Sequence, residues 1–200
     1  MKRIALVSAV LLAAVNYAYS AGIEMNISPD GSNVKATYSG SLDLSGFFNS
    51  GSVESMYSGG EEALLWPQEP VIGVSTTSAE TEMGSIWGID SPLPSFGSDV
   101  QSVPDSFYGD SFGVTIDSGT SDQAIFFDVK DIDENNIVSV SGGMTFQNKT
   151  ISDLGLNLGT YQMNDSDFAQ GENITLTITP EPATMALLGL GGLFIRRRSS

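Results

Sequence analysis

The chain has 200 residues, with 8 basic and 24 acidic side chains, a formal charge of −16 at neutral pH, and neither cysteine nor histidine. The missing residue types exclude disulfides, Cys/His zinc sites and any nucleophile activated by a histidine base. The acidic balance argues against nucleic acid and anionic membrane surfaces as partners, because phosphate recognition requires clustered Lys or Arg.

In chain order, the first element is a secretory signal peptide. Lys2-Arg3 supplies its charged region, Ile4 to Val15 its apolar stretch, and Ala18-Tyr19-Ser20 a small-x-small cleavage site. The apolar stretch is short of the ~20 residues a bilayer span needs. A body is expected over residues 21–179, long enough for one domain with its own core. It holds only Lys35, Lys130 and Lys149 against 23 acids, a net charge of −20.

Within the body, short alternating runs and turn residues replace any sustained 3.6-residue period, which predicts an all-β fold. The expected architecture is an antiparallel two-sheet sandwich with jelly-roll or Greek-key-like connections, flanked by the N-terminal signal helix and a short C-terminal apolar helix. Ile23 to Ile27 reads as a strand ending at a Pro29-Asp30-Gly31 turn, and Val34 to Leu44 as its partner. Strands are expected at 53–57, 63–66, 71–77 and 85–89. Residues 90–109 contain Pro92, Pro94 and Pro104 and read as a long surface loop. Further strands are expected at 111–117, 123–130, 137–140 and 144–147, the last two separated by Gly142-Gly143. Thr150, Asp153 and Gly155 have the spacing of a single helical turn with a capping box and a glycine stop. The last two strands are expected at 159–163 and 173–179.

Beyond the body, Pro180-Glu181-Pro182 breaks the strand pattern and opens a 13-residue apolar run, Ala183 to Ile195, closed by Arg196-Arg197-Arg198. As a helix that run rises about 20 Å, less than a hydrocarbon core about 30 Å thick, and the arginines favour the cytoplasmic side. A signal that is read and removed fits these dimensions better than a permanent anchor. Pro180, Glu181, Pro182, the apolar run and Arg196, Arg197 and Arg198 resemble the PEP-CTERM sorting signal of bacterial exported proteins, part for part. The resemblance implies recognition by an exosortase-type membrane protease, transient inner-membrane insertion, cleavage near Pro-Glu-Pro, and delivery to the cell envelope, surface or exopolysaccharide matrix. The same tail also carries the name ice-binding protein C-terminal domain, which describes the tail and leaves the body's activity open.

No catalytic residue is assigned. Asp128, Asp131, Asp133 and Asn135 are a candidate calcium set, since Asp131-x-Asp133-x-Asn135 matches the start of an EF-hand loop. Asn136 and Gly142 then stand where that loop needs Gly and Glu, so a solvated hairpin turn is the simpler reading. Thr175, Thr177 and Thr179 alternate onto one strand face, but one strand is no array. Trp66 and Trp87, with Tyr57 and Tyr108, are candidate sugar-stacking platforms or core-edge aromatics. Glu61-Glu62 and Glu80-x-Glu82 lie close in sequence, whereas glycosidase chemistry needs two acids about 5 to 10 Å apart across a cleft. The expected function is that of a non-enzymatic surface or matrix protein, with a carbohydrate- or calcium-binding module in exopolysaccharide as the alternative.

Overall fold

The computed structural model describes residues 22–50, 53–57, 62–75, 82–116 and 122–180. The signal peptide and the tail beyond Pro180 lie outside them. Strand β1 (Gly22–Asp30) turns through Gly31-Ser32 into β2 (Asn33–Asp43), and a short helix α1 (Ser45–Ser50) follows. Then come β3 (Val53–Tyr57), β4 (Glu62–Trp66), β5 (Val71–Ser75), β6 (Glu82–Trp87), β7 (Ser106–Gly109), β8 (Phe112–Ile116) and β9 (Gln123–Asp128). A 3-10 turn at Val129–Asp131 leads to β10 (Ile137–Phe146), β11 (Gly159–Met163) and β12 (Asn173–Ile178).

These strands form two six-stranded sheets. Sheet A has the order β11-β12-β1-β2-β10-β7, and sheet B the order β3-β6-β9-β8-β5-β4. Alternation decides which side chains meet between them. In β12 the buried residues are Ile174, Leu176 and Ile178, while the threonines between them face outward. Ile72, Val74, Phe112, Val114, Ile125 and Phe127 from sheet B join the sheet A set in one apolar cluster, so the body is a two-sheet sandwich. Among the described residues the chain passes between the sheets four times, and β2 pairs with β10 across a long connection, as in Greek-key folds. The described pairings are antiparallel except β1 with β12, which run parallel in register from Gly22↔Asn173 to Ile27↔Ile178.

Several local features depart from the sequence expectations. Gly142-Gly143 separates no strands; it lies inside the ten-residue β10. Crowding by the neighbouring strand explains the glycines: a Cβ on Gly142 would come within 2.3 Å of the Tyr38 hydroxyl, and one on Gly143 within 2.5 Å of the Ala36 carbonyl. The first turn falls at Gly31-Ser32, and Pro29 and Asp30 remain paired with β2. Residues 90–109 are not wholly a surface loop, since Ser106–Gly109 form β7, and Leu93 and Phe96 are buried in the core cluster with Ile151, Leu154 and Leu156. The Gln123 carboxamide holds Leu93 there, donating to its carbonyl at 2.7 Å and accepting from its N–H at 2.8 Å. α1 was not expected from the pattern; its Phe47 packs edge-on against Phe168, ring centres 5.4 Å apart. The capping box is present: Asp153 Oδ2 accepts from Thr150 N at 2.9 Å, Thr150 Oγ1 accepts from Asp153 N at 3.1 Å, and Gly155 ends the turn at φ +66.

Candidate functional site

Sheet B brings together two residues that are 21 positions apart in sequence. Trp66 pairs with Val71, whose register continues to Thr115; Thr115 pairs with Ala124, and Ala124 with Trp87. Leu65 and Ile86, the inward neighbours of the two tryptophans, belong to the core, so both indoles project from the outer face. They terminate one row across five strands. At about 4.8 Å per strand the row is about 19 Å long.

The next row along the strands reads Leu64, Gly73, Gly113, Phe126 and Ser85. Phe126 lies across the two glycines: a Cβ on Gly73 would sit 2.5 Å from its Cζ, and one on Gly113 2.6 Å from it. The indole of Trp87 lies back along its own strand, with Nε1–H donating to Ser85 Oγ at 2.9 Å. Trp66 stands in β4, the outermost strand of sheet B, its Nε1–H donating to Asp99 Oδ1 at 2.8 Å. Beside Phe126 is an open depression of about 160 Å³, lined by Leu64, Val71, Gly73, Ser75, Thr115 and Phe126 but by neither tryptophan. The four aromatic candidates therefore divide. Tyr108 stands half-exposed in β7 of sheet A, with the Lys35 ammonium 5.7 Å from its ring centre, and Tyr57 belongs to the β3 edge of sheet B.

The candidate calcium residues have other engagements. Asp128 is fully buried at the end of β9, where its Oδ1 accepts from Lys130 N at 3.0 Å and its Oδ2 pairs with Lys130 Nζ at 2.5 Å. That bond holds the Lys130 ammonium above its ordinary pKa. Asp133 Oδ1 accepts from Asn135 N and Ile137 N, both at 2.8 Å, and these donors hold its carboxyl below the usual range. Asp131 Oδ2 is buried without a hydrogen-bond partner. Burial pushes its pKa up, Lys130 opposes the rise, and Asp110 and Asp128 add to it. Among the described residues no three acids converge as a metal-holding group.

Two opposite pH dependences follow. Asp133 contributes stability above its unfolded pKa of about 3.9, lost as pH falls through its lower folded value. Asp131 has the reverse sign: its raised folded pKa means that ionisation costs stability above that value. Asp131→Asn is therefore expected to raise Tm at pH 7, with the gain disappearing below about pH 3.9, where the aspartate is protonated in both states. Thermal melts of both proteins across pH 3 to 7 check this.

The remaining candidates are spread out. Thr175 and Thr177 share the outer face of sheet A with Thr160 and Thr37, but Glu24 and Asn26 of β1 interrupt the rows, and Thr179 lies past the end of β12. Glu61 and Glu80 lie outside the described residues. Glu62 and Glu82 begin β4 and β6, with three strands between them.

At the C-terminal end, Thr179 N donates to the Ile27 carbonyl at 3.0 Å, extending the β1–β12 ladder to the residue before Pro180. Glu181, Pro182, Arg196, Arg197 and Arg198 lie outside the described residues. The family model of the PEP-CTERM protein-sorting motif matches residues 179–199. The chain carries a PEP-CTERM sorting motif. That motif is recognised by exosortase, a membrane protein, and implies export and sorting to the cell envelope and surface. No curated protein and no solved structure matches the chain.

Sequence reasoning singled out both tryptophans but not their alignment. The unbroken apolar run Ala63-Leu64-Leu65-Trp66 gives no parity, so the outward direction of Trp66 comes from the sheet. The common row of the two tryptophans depends on the pairing of β4, β5, β8, β9 and β6, which no local signal encodes.

Proposed function

We propose that the PEP-CTERM chain is a non-enzymatic surface or extracellular-matrix protein, held transiently in the inner membrane by its tail and then delivered as an acidic β-sandwich. The observation that carries this reading is the join between body and motif. The matched motif starts at residue 179, while β12, an interior strand of sheet A, runs to Ile178. Body and sorting signal are thus contiguous in sequence. Replacing Pro180-Glu181-Pro182 with three alanines in the native host tests it. The expected result is an unprocessed precursor that stays in the membrane fraction; unchanged maturation and location would overturn the proposal.

A second reading, carbohydrate binding by the body, draws support from the Trp66–Trp87 row on sheet B. It is compatible with the first, since a matrix protein can be retained by the polymer around it.

A further inference from the structure

We propose that the outer face of sheet B binds a single strand of uncharged polysaccharide, lying along the row from Trp66 to Trp87 with Phe126 beside it. This rests on the carbohydrate reading and assigns it a site. A pyranose presents an apolar C–H face and a rim of hydroxyls. Its complement is a flat ring edged by hydrogen-bonding groups, because the ring takes the apolar face and the polar groups fix orientation. Sheet B supplies Trp87 lying along its strand, Phe126 over the glycine pair, and Trp66 at the edge. Thr115 and Ser75 line the depression beside Phe126, and the Asp99 carboxylate flanks Trp66.

Size and charge select the occupant. The depression of about 160 Å³ is below the ~300–1,000 Å³ of pockets that enclose small ligands, so it suits one residue of a chain resting on the face. The two rows cover on the order of 300 Å², far below the ~800 Å² per partner of a stable protein interface. A second copy of this chain would also bring another strongly negative body against the first. The same charge repels anionic polymers. A slender neutral polymer satisfies both limits, and a row about 19 Å long accommodates several sugar residues.

Affinity electrophoresis of the full-length chain through gels containing hydroxyethyl cellulose, laminarin, galactomannan or alginate tests the proposal, with size-exclusion chromatography alongside. The expected result is retardation by at least one of the three uncharged polymers and none by alginate. Trp66→Ala and Trp87→Ala should each weaken that binding about tenfold, the effect of losing roughly 1.4 kcal/mol of contact. Thr115→Arg, which fills the trough while keeping every ring, should do the same, and Tyr108→Ala on the opposite sheet should change nothing. Variants are compared only where their thermal melts remain cooperative, and Thr115→Arg decides if a tryptophan variant fails to fold. Wild-type retardation that survives Thr115→Arg and the tryptophan changes overturns the site and leaves the carbohydrate reading intact. Absence of retardation by all three uncharged polymers overturns the carbohydrate reading and the site together. A dimer that dissociates on Trp87→Ala without any retardation would assign the face to a second copy instead.

Discussion

Leu176→Asp is expected to abolish the cooperative thermal transition of the body. Leu176 is fully buried in β12, registered beside Met25 of β1 on one side and Tyr161 of β11 on the other. Removing the buried leucine forfeits about 1.5–3 kcal/mol of apolar transfer. A carboxylate in its place adds a desolvation penalty of several kcal/mol with no cation to pair with it. The sum approaches the about 5–15 kcal/mol that stabilises a whole domain. Thr177→Asp, one residue on, faces solvent beside Thr160 and Asn26 and should shift stability by only about 0.5 kcal/mol. Far-UV circular dichroism melts of the two variants make the comparison. A cooperative Leu176→Asp transition near that of the wild type would mean that β12 is not held between β1 and β11 in this register.

That contrast between adjacent residues was readable in the sequence, because a half-buried strand writes its burial as a period of two. β1, β2, β11 and β12 are legible for that reason, and Thr150, Asp153 and Gly155 announce their turn through local hydrogen-bond chemistry. Features set by distant chain segments were not legible. Gly142-Gly143 has the composition of a turn, and only the approach of Tyr38 and the Ala36 backbone explains glycine in mid-strand. The parallel pairing of β1 with β12 joins residues about 150 positions apart and leaves no local trace. Leu93 and Phe96 sit among prolines and serines, a loop composition, yet both are buried in the core cluster. The candidate face shows the same limit: the sheet, not the local sequence, puts Trp66 outward, and strand order puts it in line with Trp87. The calcium candidates show its converse. Their spacing suggested a shared ligand, whereas Asp133 caps its own turn and Asp128 pairs with Lys130.

The packing of one sheet on the other can be tested at a single ring. Phe112 opens β8, is fully buried, and meets Tyr38 of sheet A with ring centres 5.7 Å apart and planes inclined at 41°. Phe112→Ala should cost about 3–5 kcal/mol, because the cavity lies between two hydrogen-bonded sheets that have little freedom to close on it. For a domain of this size, each kcal/mol lowers Tm by about 2–4 °C, so the melt should fall by about 6–20 °C. Tyr38 supplies an independent readout. Its hydroxyl donates to the Asp110 carbonyl, and burial, reinforced by the nearby Asp110 carboxylate, pushes its phenol well above the ordinary range. Opening a cavity beside it admits water and favours the phenolate, so in Phe112→Ala the Tyr38 phenol should titrate closer to pH 10. Alkaline titration followed by tyrosinate absorbance measures this in protein that is still folded. Phe112→Leu keeps most of the volume and should lose less than half as much stability. A loss below about 1 kcal/mol in Phe112→Ala, with the Tyr38 titration unchanged, would show that the sheets do not meet at this ring pair.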